Sequence, residues 1–357
     1  MKNFYLDWSY KEEKFKFIEG ESDKIETGLK KFLKRLDSDS SIYTENIGRM
    51  VRDVFKKGAK IYRCRGNDVA ELREKKGLEK SDEIDVRLIR ELSKEKPEVF
   101  RQWKGYPKIT TLCRIFEGIK KERVAAGLRI FSKGTNPELE QIHLGLKKLE
   151  KEVADTMGKE LKNYPIYVEW LKPGVKGVDV KAGGVLIGTI AATGGIENFR
   201  HASHLRSYFG VFPRDGIAAR LQAGKSSGFQ PARKGLMLGV IGKGLIMAKD
   251  PYYYEKVYKD YKLRISKMTF KPGELKAKYK GYKKEDTKRR PIHIHRMAVR
   301  KMVQVFLDHF WCIWRQLEGL PTTSPYPIDK LKHSSYLMPP NVPERLKPFE
   351  PFKPNES

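Results

Sequence analysis

Cysteine is scarce in this chain of 357 residues: Cys64, Cys113 and Cys312 stand alone, with no C-x-x-C spacing. That pattern excludes a secreted disulfide framework, argues against a zinc ribbon or finger, and fits a reducing cytoplasm. Histidine is scarce too, at seven. His293, His295 and His309 come closest to a cluster, but no fourth ligand stands at a convincing spacing. No apolar run approaches the roughly 20 residues needed to span a bilayer, so no membrane partner is expected. Met1-Lys2-Asn3-Phe4 runs straight into a strand pattern, and no signal or transit peptide is expected. Acid is short relative to base: 45 Asp and Glu face 73 Lys and Arg, a formal net charge of +28. Such an excess points to a polyanion, because Lys and Arg that neutralise phosphates release counterions and drive binding without regard to sequence. Nucleic acid is the expected partner.

The few acids therefore matter by position. Phe4-Tyr5-Leu6-Asp7 and Ser41-Ile42-Tyr43-Thr44-Glu45 each read as a short apolar strand ending in an acid. Lys80-Ser81-Asp82-Glu83-Ile84-Asp85 opens an amphipathic helix, and residues three apart share a helix face, so Asp82 and Asp85 can point at one site. Four acids, Asp7, Glu45, Asp82 and Asp85, thus converge in principle. Carboxylates of this kind hold Mg²⁺ or Mn²⁺ through oxygen, as in-line phosphodiester chemistry requires. The competing reading of a D-x-x-D pair is a solvated helix face.

Over residues 1–105 the pattern is α/β. Residues 3–8 and 13–19 alternate like paired strands; 25–36 has helical spacing, with Leu29, Phe32, Leu33 and Leu36 on one side. Strand 41–45, helix 46–57 and strand 59–63 follow. Alternating strands and helices imply a mainly parallel sheet, whose ligands gather beyond the carboxyl ends of the strands. Residues 106–164 read as helical throughout, and Leu139, Ile142, Leu146, Leu149 and Val153 repeat like a coiled-coil seam. That seam serves either a second chain or a neighbouring helix of the same domain.

Asp7, Glu45 and the Lys80-Ser81-Asp82-x-x-Asp85 segment resemble the RuvC-like half of the DEDD transposases, the IS one-ten insertion-sequence family, relatives of a pilin-gene invertase. The family segment commonly reads K-T-D-x-x-D-A. A second run, Gly195-Ile196-Glu197-Asn198-Phe199-Arg200-His201-Ala202-Ser203-His204-Leu205-Arg206-Ser207-Tyr208-Phe209-Gly210, is similar to the family's transposase-specific domain. The resemblance implies an α/β plus α chain. A RuvC-like or ribonuclease-H-like catalytic domain would span 1–105, a helical coiled-coil linker 106–164, a mainly helical transposase domain 165–320 and a Pro-rich tail 321–357. It also implies a four-acid site at Asp7, Glu45, Asp82 and Asp85 for Mg²⁺ or Mn²⁺, and a serine nucleophile from the second domain. DNA as target and donor, a structured guide RNA, and a homodimer or homotetramer in a prokaryotic, nucleoid-associated cytoplasm complete the expectation.

The serine departs from the family pattern. The chain reads Gln222-Ala223-Gly224-Lys225-Ser226-Ser227-Gly228, and the best register puts Ala223 where the nucleophile belongs. Three alternatives stay open: Ser226, or next Ser227, has taken the role in a shifted loop; the natural protein has no serine there; or a serine has been exchanged for alanine. A basic loop that grips phosphate through Lys225, Arg233 and Lys234 is the plainer reading. Residues 165–192 resemble a helix-hairpin-helix element, or else a Gly-rich turn between two packed helices. Helices are expected over 235–249 and 292–317. Between them, 262–290 sets twelve basic residues against three acids, beside Tyr252, Tyr253, Tyr254, Tyr258 and Tyr261. That composition suits base stacking with phosphate pairing, or a solvated linker. Two other functions compete: a metal-dependent nuclease or junction resolvase without a covalent step, and a nucleic-acid binder that does not cleave.

Overall fold

In the computed structural model of the chain, the described residues are 2–7, 15–45, 54, 56–64, 66–103, 107–134, 136–214, 217–218, 229–279, 281–323 and 337–351. The chain divides into two compact units, Met1–Gly105 and Tyr106–Ser357. Its overall make-up is mixed α/β followed by α. No helix among the described residues is long and apolar enough to cross a membrane.

The first unit is built on a six-stranded sheet in the order β3-β2-β1-β4-β5-β6. Its strands are β1 (Lys2–Asp7), β2 (Lys16–Glu19), β3 (Glu26–Thr27), β4 (Ser40–Thr44), β5 (Lys60–Arg63) and β6 (Arg101–Trp103). β1, β4 and β5 run parallel, whereas β2, β3 and β6 pair antiparallel with their neighbours. Alternation along β1 divides the core between the two faces. Phe4 and Leu6 join Phe15, Phe17 and Phe32 on one side, the last from helix α1 (Leu29–Arg35). Tyr5 joins Ile18, Val86, Ile89 and Leu92 on the other, where it stacks on Tyr43, and Tyr43 on Tyr62, at 5.4 and 5.2 Å between ring centroids.

The helix expected over 25–36 begins only at Leu29. Glu26 and Thr27 instead pair with Phe17 and Lys16, because an edge position on β2 offers backbone partners there. The helix expected over 46–57 falls largely outside the described residues. Two helices follow β5: α2 (Gly66–Lys75) and α3 (Asp82–Glu95). Ser81 caps α3, its Oγ accepting from the Ile84 amide at 3.2 Å, and acids fill the first turn, where the helix dipole favours them.

The second unit is helical apart from a two-stranded ribbon, β7 (Pro213–Arg214) with β8 (Ile217–Ala218). α4 (Lys108–Lys133) and α5 (Pro137–Glu160) form a hairpin pinned by Arg123 on Glu150 and by His143 at the Arg123 carbonyl. The heptad seam is therefore turned partly onto its own neighbour. Leu139, Leu146 and Val153 are half-buried, while Ile142 and Leu149 stay exposed, with Leu128, Phe131 and Leu144 exposed nearby.

The core of this unit surrounds α12 (Pro291–Leu317), whose Phe306 and Phe310 pack on the buried Trp170. Around it stand α6 (Val180–Ala191), α7 (Ala202–Tyr208), α8 (Pro231–Gly235) continuing through a π-helical turn into α9 (Gly242–Met247), and α10 (Lys259–Ser266) with the short α11 (Glu274–Lys278). The basic segment 262–290 is thus folded rather than a free linker. Tyr258 and Tyr282 bond the Nδ1 atoms of His295 and His293 at 2.7 and 2.9 Å and fasten the segment to the start of α12. The tail is also fastened where it is described. Trp170 Nε1 donates to the Pro340 carbonyl, Asn341 to that of Gly174, and Gln316 to that of Glu350.

Candidate active site at the carboxyl edge of the sheet

β1 and β4 leave the sheet side by side. Leu6 pairs with Thr44 in the parallel register, so Asp7, the last residue of β1, and Glu45, one past β4, emerge on neighbouring strands about 4.8 Å apart. α3 lies across β1, β2 and β4 and brings its acidic first turn to the same sheet. An ion pair of 3.4 Å between Glu83 and Lys16, the residue opposite Asp7, ties that turn to β2. Asp85 is buried at 1% exposure, whereas Asp7, Glu45 and Asp82 are half-buried.

The carboxyls do not share one environment. Burial pushes the Glu45 carboxyl above the usual range, and the nearby Asp85 charge adds to the rise; Lys80, Arg73 and Arg63 oppose it. Asp85 is gripped by Arg73 of α2, whose Nε donates to its Oδ1 at 2.9 Å while Nη2 lies 2.7 Å from the same oxygen. Arg63 Nε donates to the Glu45 carbonyl at 3.0 Å. Gly66, where α2 begins, passes so close that an added Cβ would lie 3.5 Å from Glu45 Oε2. Cys64 is no nucleophile here. Burial, then Asp68 and Glu45, pushes its thiol up to about 12, leaving it protonated.

Of the four acids expected from sequence, the structure places Glu45 and Asp85 within electrostatic reach of each other, with Asp82 on the helix of Asp85 and Asp7 at the end of the strand beside β4. Among the described residues no three His, Cys, Asp or Glu come together closely enough to hold a metal ion. With Arg73 on Asp85, the arrangement does not fit Mg²⁺ or Mn²⁺ as it stands. Sequence reasoning missed Arg73 and Asp68, the latter buried on α2. Arg73 lies twelve residues from Asp85 on a different helix, a separation that carries no motif.

Ser226, Ser227, Ala223 and Lys225 lie outside the described residues. Arg233 and Lys234 open the helix beyond that loop. The Arg233 guanidinium sits 3.8 Å from the centroid of Tyr208, and Lys234 4.8 Å from that of Phe229, so aromatic faces hold both cations. Tyr208 is itself fixed by its hydroxyl on the Thr189 carbonyl at 3.2 Å. The helix-hairpin-helix-like turn has a packing role. Gly177, at φ +90°, lies against Gly244, whose carbonyl oxygen would be 2.3 Å from an added Cβ. The amino end of α6 is taken by Asp179, which accepts from Ala182 N at 2.8 Å and would repel a phosphate there. The buried Asp250 holds the turn from the other side, accepting from the amides of Lys176, Tyr252 and Tyr253.

Each histidine once weighed as a metal ligand is bonded to a tyrosine: His293 to Tyr282, His295 to Tyr258 and His309 to Tyr253. No protein-family model matches the chain, and no curated protein matches it.

Proposed function

We propose that this chain is a DNA transposase or recombinase of the DEDD type, and that its phosphoryl-transfer site lies at the carboxyl edge of the sheet. One observation carries the reading. The strand order β3-β2-β1-β4-β5, with only β2 reversed in that run, matches the order expected of a ribonuclease-H-like sheet. It brings Asp7 and Glu45 out on adjacent strands, with Asp85 on the helix laid across them. Asp7, Glu45, Asp82 and Asp85 are the residues that would hold the proposed cofactor, Mg²⁺ or Mn²⁺, once Arg73 no longer occupies Asp85, and the ion would supply Lewis-acid charge there. The chain's own contribution is to keep several carboxylates at one edge and to hold DNA beside them.

A serine of the loop carrying Ser226 and Ser227 is the proposed nucleophile: its Oγ, losing its proton, would bond to the phosphorus of a DNA 5′-phosphate as the P–O3′ bond breaks, and the other strand end would leave as a 3′-hydroxyl that takes up a proton. Its loop is followed in sequence by Arg233 and Lys234, held on Tyr208 and Phe229, which are the proposed phosphate contacts. Guide RNA is the second proposed partner. Support comes from the folded segment around α10 and α11, where Lys259, Lys262, Arg289 and Arg290 lie over Tyr254, Tyr258, Phe270 and Tyr282. The exposed Leu128, Phe131, Ile142 and Leu144 of the hairpin support a homodimer or homotetramer.

A nuclease that uses activated water is the second reading, favoured by Ala223 at the nucleophile position. Incubation with branched DNA and Mg²⁺ separates the two. The recombinase yields cleavage together with protein covalently attached to DNA; cleavage without an adduct, which Ala223→Ser leaves unchanged, selects the nuclease. Tight, salt-dependent binding with neither product would contradict both and leave a nucleic-acid binder.

A further inference from the structure

The acidic edge carries its own cation. Arg73 donates its Nε–H to Asp85 Oδ1 and brings Nη2 to 2.7 Å from the same oxygen, and both side chains are withdrawn from water, to 15% and 2% exposure. A guanidinium in this position occupies the lone pairs that a metal ion would use, and its charge opposes a divalent ion arriving at the same oxygen. α2, which bears Arg73, starts at Gly66 against Glu45 and packs along α3, so one short helix bears on both carboxylates.

We infer that Arg73 is the resident counter-charge of the acidic edge, and that it must leave Asp85 before a divalent cation can bind there. The inference rests on the metal-dependent reading proposed above. Arg73 stands in the last turn of α2, on a flexible side chain that keeps some exposure to water. It is a positioning residue: in the closed arrangement it keeps Asp85 satisfied, and in the open one it yields the carboxylate.

Mn²⁺ binding, read by electron paramagnetic resonance on the full chain with and without a short branched DNA, tests this apart from turnover. Arg73→Gln should bind Mn²⁺ about tenfold more tightly than the wild type, and Mn²⁺ should restore the melting temperature that the substitution lowers. Asp85→Asn in the same background should abolish the gain. Equal Mn²⁺ affinity in Arg73→Gln and wild type, with both weakened by Asp85→Asn, would overturn the role of Arg73 while leaving the metal site standing. Absence of Mn²⁺ uptake by every variant, with or without DNA, would remove the metal-dependent reading itself and this inference with it. Should Arg73→Gln fail to fold, Arg73→Lys decides. It keeps the charge but loses the fork, so tighter Mn²⁺ binding than wild type supports the inference and unchanged binding refutes it.

Discussion

Asp85 in the first unit and Asp308 in the second both sit beside an arginine, yet they are served differently. Arg73 Nε donates a hydrogen bond to Asp85 Oδ1 at 2.9 Å. Arg206 Nε lies 3.1 Å from Asp308 Oδ1, but the two are not aligned as donor and acceptor, and neither buried atom has another hydrogen-bond partner. Burial consequently wins at Asp308: its carboxyl is pushed up to about 6, with Arg206 and Lys301 only partly opposing the rise. Alignment, more than proximity, decides whether a carboxylate can be kept satisfied in the interior. The acid at the carboxyl edge of the sheet has the aligned partner; the acid in the helical core does not.

The sharpest way to break this comparison is to remove the two arginines in turn. Arg73→Gln leaves Asp85 buried and unpaired and should cost about 4 kcal/mol of unfolding free energy. Arg206→Gln removes a poorly directed contact and should cost about 1 kcal/mol, since Asp308 can take up a proton. Denaturant melts of the two variants compare the losses directly, and equal losses would erase the distinction.

The pH dependence comes next. Asp308 holds its proton more tightly folded than unfolded, so its ionisation costs stability above pH 6 and that cost is relieved as pH falls from 6 toward 4. Its neighbour His309 runs the other way. Burial brings its imidazole down to about 4, so stability is lost as pH falls from 6.5 toward 4. In the wild type the two oppose each other. Asp308→Asn should expose the histidine's loss, and its stability relative to wild type should fall by about 3 kcal/mol between pH 7 and pH 4. Thermal melts across that range check the sign. A smaller effect is expected at the helix that carries Asp82 and Asp85: Ser81→Ala loses the cap on Ile84 and should cost about 1 kcal/mol.

The legible parts of the molecule are those that local patterns determine. Short apolar runs ending in an acid marked β1 and β4, and amphipathic spacing from Asp82 marked α3, because such patterns act within a few residues. What pairs across long separations was hidden. Glu26 and Thr27 read as helix, yet β2 recruits them into the sheet. β6 is three residues long and stands only because β5 offers an edge. The basic segment read as a possible linker because its anchors, Tyr258 and Tyr282, meet histidines 37 and 11 residues away. The acids could be named from sequence, but Arg73 could not, since nothing in a twelve-residue gap says that two helices will lie together.

The central claim is that the carboxyl edge of the sheet carries the chemistry while the basic surface carries the binding. Cleavage of branched DNA in Mg²⁺ by Glu45→Gln and Asp82→Ala, measured beside their DNA affinity at fixed salt, tests it most directly. The account predicts that cleavage is lost while affinity stays within about twofold of wild type; cleavage at the wild-type rate in either variant would contradict it.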